Sequence, residues 1–218
     1  MSKRGIFITF EGIDSCGKSV QLELLAQKIV NHGITVTIMR EPGGTEISEK
    51  IRTILLDQSP ESMSPLTELL LFSAARAQLL QNKISPLLES GHIILCDRFY
   101  DSTTAYQGYG RGIDISFILH LNDFVSQKIA PDTTYLFDIT VSEMNNRIKQ
   151  NNLKIDRMES QSLEFFEKVR QGYLTIANNN PDRFVVLNGH KSIEDIEDDI
   201  WNHFQGKYLH GGVNDQKK

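Results

Sequence analysis

The sequence predicts an α/β fold in which helices flank both faces of a parallel β-sheet. Short apolar runs rich in β-branched and aromatic residues alternate with longer helical patterns, and this alternation is typical of βαβ units. The length of 218 residues gives room for one sizeable domain with its own core, but not for two. Neither an internal repeat nor a low-complexity linker divides the chain, so we expect one continuous unit.

The apolar runs predicted as strands cover residues 5–10, 34–39, 92–96, 134–137 and 183–187. Helical patterns fill the intervals between them, at 18–30, 46–56, 65–88, 115–127, 142–150, 162–177 and 192–203. Gly33 and Gly91 are stop signals for two of these helices, and Ser64-Pro65 is a start signal. We expect a single domain over residues 1–208 and a disordered tail over 209–218, because the tail has little apolar surface to bury.

Charge and cysteine content narrow the possible partners and compartment. With 23 basic and 28 acidic residues, the formal net charge is −5, so no overall basic field draws the chain to nucleic acid or to an anionic membrane. Cys16 and Cys96 are too few and too dispersed for a disulfide framework or a metal site. No apolar stretch is long enough for a signal sequence or a membrane span. These features favour a cytoplasmic protein.

The loop after the first predicted strand fits the pattern G-x-x-x-x-G-K-[ST], with the residues Gly12, Ile13, Asp14, Ser15, Cys16, Gly17, Lys18 and Ser19. Its glycines let successive backbone N–H groups turn inward toward phosphate oxygens, and the helix that follows adds the positive end of its dipole. Lys18 is expected to reach the β- and γ-phosphates, and the Ser19 hydroxyl to ligate Mg²⁺. The alternative is an ordinary glycine turn with a solvated lysine.

Charged residues follow the second and third predicted strands. Arg40 and Arg98 come at the carboxyl ends of these strands, which share one edge of a parallel sheet, so the two arginines are expected to form an anion pocket facing the loop. Asp97 ends an apolar run, as does the Mg²⁺-binding carboxylate of many nucleotide-binding proteins. The alternatives are that both arginines form surface ion pairs and that Asp97 caps a helix.

On the long predicted helix, Phe72 and Arg76 are four residues apart and share one face. An aromatic ring beside a fixed guanidinium can stack on a planar base and donate to its carbonyl oxygen. The alternative is that Phe72 belongs to the core, together with Leu69, Leu79 and Leu80.

The chain resembles the bacterial thymidylate kinases, P-loop nucleoside monophosphate kinases that transfer a phosphoryl group from ATP to dTMP. The resemblance covers nearly the whole chain and rests on the segments FEGIDSCGKS, REPGGTEISEKIR, LLFSAARAQ, DRFYDSTTAYQGYGRG, PDTTYLFD and IDRMESQSLEFFEKVRQGY. It implies a five-stranded parallel sheet, Mg²⁺ with ATP as the phosphoryl donor, synthesis of dTDP for dTTP and DNA, and a homodimer.

The resemblance also implies roles for individual residues. Residues 12–19 would bind the ATP phosphates, with Asp14 between this loop and the acceptor. Arg40 and Arg98 would clamp the dTMP phosphate, Phe72 would stack on thymine, and Arg76 would donate to its O4 oxygen. The remaining dTMP contacts would come from Thr103 and Gln107 at the polar edge of the base and from Tyr106 beside the sugar.

A mobile lid is implied around residues 147–159. Some family members carry an arginine inside the phosphate loop, but Ser15 stands there in this chain, which implies that the lid supplies the catalytic cation. Arg157 is the first choice for that cation, and the other candidates are Arg147, Lys149 and Lys154.

Two other functions stay open on the sequence alone. One is a kinase for a different nucleoside monophosphate, which could use the same sheet and loop. The other is a nucleotide-dependent switch, against which the chain has an expected acceptor clamp and no NKxD-type guanine motif.

Overall fold

The computed structural model describes residues 4–59, 61–150 and 155–209. Its sheet has five parallel strands in the order β2-β3-β1-β4-β5, which confirms the predicted fold class. The strands are β1 (Ile6–Glu11), β2 (Val36–Arg40), β3 (Ile93–Asp97), β4 (Thr133–Asp138) and β5 (Phe184–Asn188). Each predicted strand is found, and its observed ends lie within two residues of the predicted ones.

Nine α-helices surround the sheet in the described part of the chain: α1 (Lys18–Asn31), α2 (Glu46–Leu56), α3 (Pro65–Leu79), α4 (Ser85–Glu89), α5 (Tyr100–Thr103), α6 (Ile115–Val125), α7 (Val141–Gln150), α8 (Leu163–Asn179) and α9 (Ile193–Phe204). Three π-helical segments continue α3, α5 and α9, at Leu80–Ile84, Thr104–Gly110 and Gln205–Leu209. None of these helices combines the length and apolar character needed to cross a membrane.

Two features of the helices differ from the sequence prediction. The single helix expected over 65–88 is interrupted by the π-helical turns of 80–84, and the helical segment Tyr100–Gly110 was not predicted at all. Leu209, expected in the tail, ends the last π-helical segment, while the tail residues 210–218 lie outside the described residues.

The core has one part on each face of the sheet because side chains of a strand alternate between faces. Ile8 and Phe10 of β1 join a cluster with residues of α1, α8 and α9. Phe7 faces the opposite way, into a cluster formed by α3, α4 and their π-helical link. Helices therefore cover both faces, as the sequence predicts.

The strand register aligns the carboxyl ends of β1, β2 and β3 at one edge of the sheet. Asp97 at the end of β3 pairs with Phe10 of β1 on one side and with Arg40 of β2 on the other. The segments that follow these three strands consequently leave the sheet side by side.

Candidate active site

The phosphate loop, residues 12–19, curls between β1 and α1 through three residues with positive φ. These are Gly12 at 142°, Ser15 at 55° and Gly17 at 100°. A Cβ atom on Gly12 would lie 2.6 Å from the carbonyl oxygen of Phe137, so only glycine fits there. Gly17 precedes α1 and provides no side-chain cap, which leaves the first N–H groups of this helix available to an anion.

Lys18 lies buried across this loop. Its Nζ donates to the carbonyl oxygens of Ile13 at 2.9 Å and Gly12 at 3.2 Å, and it lies 3.5 Å from Cys16 Sγ. The lysine is thus not a solvated surface residue. Its charged Nζ lies against the curled loop backbone that the motif predicts to bind phosphate.

Ser19 and Asp97, the two predicted metal ligands, are in direct contact. The Ser19 hydroxyl donates to Asp97 Oδ2 at 2.7 Å. Hydroxyl and carboxylate oxygens are hard donors of the kind that Mg²⁺ prefers, and Mg²⁺ usually keeps water and substrate phosphates as its other ligands. No group of three or more His, Cys, Asp or Glu side chains that could hold a metal occurs in the described chain, so this pair fits a nucleotide-bound Mg²⁺ rather than a metal caged by protein.

A cavity of about 290 Å³, called the central cavity below, opens next to the phosphate loop. Its lining consists of Asp14, Ser15, Lys18, Ser19, Glu41, Pro42, Arg52, Leu56, Phe72, Arg76, Asp97, Arg98, Phe99, Ser102, Thr103, Tyr106, Gln107, Asp156, Met158 and Glu159. Most of the predicted site residues outside the loop are therefore brought together in one place. Arg40 and Arg157 are absent from this described lining.

Arg98 links the cavity to the phosphate loop. Its backbone has a φ of 70°, a conformation that turns the side chain back over the end of β1. Nη2 lies 2.5 Å from Asp14 Oδ1, and Nη1 donates to the Gly12 carbonyl at 3.0 Å. The Tyr106 hydroxyl donates to the second Asp14 oxygen at 3.0 Å, so these three side chains form one network.

A buried carboxylate missed at the sequence level supports Arg98. Glu11 accepts hydrogen bonds from the Phe99 N–H at 2.7 Å, the Ser102 hydroxyl at 2.7 Å and the Tyr173 hydroxyl at 3.0 Å. Ser102 and Tyr173 in turn accept from Arg98 Nη1. Burial raises the pKa of Glu11 to about 7, with Asp101 adding to the effect.

The far end of the central cavity is built around Arg76. This side chain is only 2% exposed; its Nε donates to Glu41 Oε2 at 2.7 Å and its Nη2 to Thr103 Oγ1 at 2.8 Å. The Glu41-Pro42 peptide bond, whose isomer the sequence left open, is cis. Phe72 is half-buried, packs against the core and also lines the cavity.

Arg40 is not among the residues that line the central cavity. Its Nη2 donates to both carboxylate oxygens of Glu49, at 2.9 and 3.0 Å, and it lines a neighbouring open groove of about 760 Å³ along the edge strand β2. That groove shares Ser19 and Asp97 with the central cavity but lacks Lys18 and Arg98, so the smaller central cavity is the better candidate site. The surface ion pair, the alternative interpretation of Arg40, describes its position.

Arg52 was not among the residues predicted for the site. It lines the central cavity, and its Nη1 donates to the Pro42 carbonyl at 3.0 Å. Burial lowers the pKa of this guanidinium, and the nearby Arg40 adds to the effect. The signal in the sequence was its position in EKIR, inside the quoted REPGGTEISEKIR segment, but no local pattern distinguished it from a solvated helix residue.

The cations predicted for the lid occupy two different places. Arg157 Nη1 donates to Glu68 Oε2 at 2.6 Å and its Nε to the Leu55 carbonyl at 2.6 Å, so the structure does not bring it to the phosphate loop. Arg147 does reach the loop, with Nη1 3.4 Å from the Ser15 carbonyl. Lys149 is exposed on α7, and Lys154 lies outside the described residues.

Sequence and structure comparisons agree with one another. The family described as thymidylate kinase matches residues 10–200. The chain is 47% identical over 195 residues to thymidylate kinase of Geobacter sp. (strain M21), covering 87% of each protein. It is 43% identical over 198 residues to thymidylate kinase of Geotalea uraniireducens (strain Rf4), covering 88% of this chain and 93% of that protein. The crystal structure of thymidylate kinase from Ehrlichia chaffeensis superposes with a TM-score of 0.75 at 36% identity, covering 93% of this chain and 99% of that one.

Proposed function

The chain belongs to the thymidylate kinase family, and we propose how its residues carry out the ATP-dependent phosphorylation of dTMP to dTDP. The observation that carries the proposal is the central cavity, whose lining brings together Lys18 of the phosphate loop, Arg98 and Arg76. A monophosphate held by its base at the Arg76 end would present its phosphate to the loop.

On the donor side, the backbone N–H groups of residues 12–19 bind the β- and γ-phosphates of ATP. Lys18 leaves its carbonyl partners and follows the charge that spreads over the γ-phosphoryl oxygens during transfer. Ser19 and Asp97 hold the nucleotide-bound Mg²⁺, which supplies charge neutralisation. An Asp97→Asn variant that keeps its Mg²⁺ dependence of ATP binding would argue against this metal assignment.

On the acceptor side, Arg98 and Arg52 hold the phosphate of dTMP. The second pKa of a phosphate monoester is near 6, so at neutral pH the acceptor is already a nucleophile and needs no general base. The protein then contributes position and charge: the two guanidinium groups fix an in-line approach toward the γ-phosphorus. We keep Arg40 as a weaker candidate, because it would have to leave Glu49 to take part.

The base of dTMP lies between Phe72 and the polar residues at the far end of the cavity. Arg76 donates to the thymine O4 oxygen, Thr103 and Gln107 contact the remaining polar edge, and Tyr106 lies where a ribose 2′-hydroxyl would otherwise fit. Arg76 and Gln107 are 2% and 1% exposed, so a base with the wrong donor pattern leaves buried polar groups unpaired. We expect dUMP to be a poor substrate and dCMP a worse one.

The lid lies around residues 147–159 and closes over both nucleotides, which keeps water from the γ-phosphoryl group. Its carboxylates Asp156 and Glu159 line the cavity. For the catalytic cation we now favour Arg147 over Arg157, since Arg147 is next to Ser15, the position that carries an arginine in other members of the family.

The protein is proposed to act as a homodimer. Helix α3 packs against both α2 and α6, and the three helices expose large apolar side chains: Ile47, Ile54, Leu66, Leu70, Phe117 and Phe124. We propose that they form a dimer surface, because large apolar patches on a protein surface commonly mark interaction sites. Light scattering on Phe124→Ser, a residue 83% exposed, should show a shift toward monomer.

A cytoplasmic location is proposed because both cysteines are free and buried, which suits a reducing compartment. ATP, the phosphoryl donor, is also abundant there.

The decisive experiment is a coupled assay for ADP release with ATP, Mg²⁺ and each nucleoside monophosphate in turn. We expect dTMP to have the highest kcat/KM, followed by dUMP. Preference for a different monophosphate would overturn the substrate assignment, and ADP release that ignores the acceptor would overturn the phosphotransfer.

A further inference from the structure

Glu68 lies outside the lining of the central cavity, yet it holds a residue that belongs to it. Its carboxylate is in the first turn of α3 and is only 1% exposed. Glu68 Oε1 accepts a hydrogen bond from Gln107 Nε2 at 2.9 Å. Gln107 is itself 1% exposed, so neither side chain can exchange this hydrogen bond for one to solvent.

Two arginines keep this buried carboxylate charged. Arg111 donates Nε to Oε1 at 3.1 Å and Nη2 to Oε2 at 3.0 Å, and Arg157 Nη1 donates to Oε2 at 2.6 Å. Burial alone would raise the pKa of Glu68, but hydrogen bonds from Arg111, Gln107 and Arg157 outweigh burial and hold this pKa below its usual value. Glu68 is therefore ionised at neutral pH and can only accept hydrogen bonds.

A partner that can only accept determines which way the amide of Gln107 points. A glutamine amide has a donating NH₂ group and an accepting oxygen, and only the NH₂ group can face Glu68. The oxygen, Oε1, is then on the opposite side of the amide. No described residue donates to it, and Gln107 is among the residues that line the central cavity.

We propose that Glu68 is a positioning residue for base selection, which holds the NH₂ group of Gln107 so that Oε1 is presented to the N3–H of thymine. The proposal rests on the proposed function, because it takes Gln107 to contact the base of bound dTMP. Thymine carries a proton on N3, whereas N3 of cytosine is an acceptor. A cytosine base would place acceptor against acceptor at this point, in a site where neither can turn to water.

The test is the ratio of kcat/KM for dTMP to kcat/KM for 5-methyl-dCMP, two substrates that share the C5 methyl group. Glu68→Gln keeps the size of the side chain but lets it donate to Gln107, whose amide can then turn its NH₂ group to the base. We expect the ratio to fall by roughly tenfold or more. An equal loss toward both substrates, as a purely structural role would give, overturns the proposal.

Glu164→Gln is the matched control. Glu164 is an exposed carboxylate on α8 that pairs with Lys168 at 2.8 Å and is not among the residues that line the cavity. This variant should leave the ratio unchanged; a ratio that falls as much as in Glu68→Gln would mean that the effect is not specific to the Gln107 contact.

A charge swap provides the rescue. In the double variant Glu68→Gln, Gln107→Glu, the carboxylate at position 107 can accept from the amide at position 68 with one oxygen and offer the other to N3–H. The ratio should return toward the wild-type value. A folded double variant with the same low ratio as Glu68→Gln contradicts the proposal.

If Glu68→Gln has no cooperative melting transition, the unmodified protein supplies the readout. In a crystal structure with dTMP, the Gln107 amide must lie within hydrogen-bond distance of both Glu68 and thymine N3, and contact with only one of them overturns the proposal. Failure of the proposed function is a separate outcome, since the wild-type protein would then not turn over dTMP.

Discussion

Arg98 and Asp14 form an ion pair that joins the end of β3 to the phosphate loop, with Nη2 2.5 Å from Oδ1. Both side chains are mostly buried, at 18% and 16% exposure. The two residues are 84 positions apart in the chain, so it is the parallel sheet that brings them together. The ion pair therefore connects the loop proposed to bind ATP with the residues proposed to bind dTMP.

Arg98→Ala should lower kcat/KM for dTMP by about 10²–10³-fold, because removing one partner of a buried charge-assisted pair costs several kcal/mol. Arg98→Lys should recover only part of this activity, since an ammonium group cannot reproduce the five donors of the guanidinium. Steady-state kinetics with dTMP varied at saturating ATP measures both. Thermal melting of each variant controls for folding. Turnover within about twofold of wild type would remove Arg98 from the site.

A second prediction compares the arginine inside the central cavity with the one outside it. Arg52→Met should raise the KM for dTMP by roughly tenfold or more, because it removes a guanidinium proposed to bind the acceptor phosphate. Arg40→Met is the matched variant and should have a smaller effect, since Arg40 pairs with exposed Glu49, and surface pairs contribute little. If Arg40→Met raised the KM for dTMP more than Arg52→Met, Arg40 would be the residue that binds the acceptor phosphate, as the sequence predicted.

A third prediction concerns stability against pH. Burial raises the pKa of Glu41 from 4.5 to about 7, with Arg76 acting in the opposite direction, and Glu41 Oε1 has no hydrogen-bond partner among the described residues. Between these pH values the folded protein keeps a proton that the unfolded chain has lost. The free energy of unfolding should therefore fall as pH rises from about 5 to 7.

Urea unfolding of wild type and Glu41→Gln at pH 5 and pH 8 tests this. The substitution removes the titrating group while keeping its size, so the loss of stability between the two pH values should be smaller in the variant, by an amount of order 1–3 kcal/mol. Some loss should remain, because Glu11 also has a pKa raised to about 7. An identical pH dependence in both proteins would show that Glu41 does not carry the proton.

The segment Tyr100–Gly110 shows where prediction of helices from the sequence fails. The strands and most helices have a strong apolar period, but this segment carries glycines that weaken a helix, and we did not predict it. In the folded protein, glycines on both sides of the contact with α8 allow close packing: a Cβ on Gly110 of this segment would lie 2.6 Å from the Phe165 ring, and one on Gly172 of α8 would lie 2.7 Å from the Tyr109 ring. Tertiary packing stabilises the helical conformation of this segment, whereas local propensity does not favour it.

The same limit applies to the site. Residues fixed by a motif, such as Lys18, or placed directly by the end of a strand, such as Asp97, could be predicted because the sheet determines where they lie. Arg40 also ends a strand, but its direction depends on Glu49, nine residues further along. The position of Arg52 depends on how α2 packs relative to Pro42, and no local sequence pattern predicts that packing.

The last prediction distinguishes the two arginines of the proposed lid. Arg147 holds α7 to the phosphate loop through Ser15, and its Nη2 donates to the Gly189 carbonyl at 2.8 Å. Arg157 instead donates to Glu68, the carboxylate that also accepts from Gln107. We therefore expect Arg147→Met to lower kcat by about 10²-fold with a small change in the KM for dTMP, because a cation at the γ-phosphoryl group acts mainly in the transition state.

Arg157→Met should instead act chiefly on the KM for dTMP, because it weakens the contacts around Glu68 without removing a charge from the phosphate loop. Lys149→Met, an exposed change on the same helix as Arg147, controls for helix stability. Steady-state kinetics gives kcat and KM for each variant, and ADP release without dTMP should stay slow in all of them, since transfer to water requires a lid closed over ATP alone. A large fall in kcat for Arg157→Met with Arg147→Met near wild type would show that the lid rearranges so that Arg157 reaches the transferring phosphate, as the sequence first suggested.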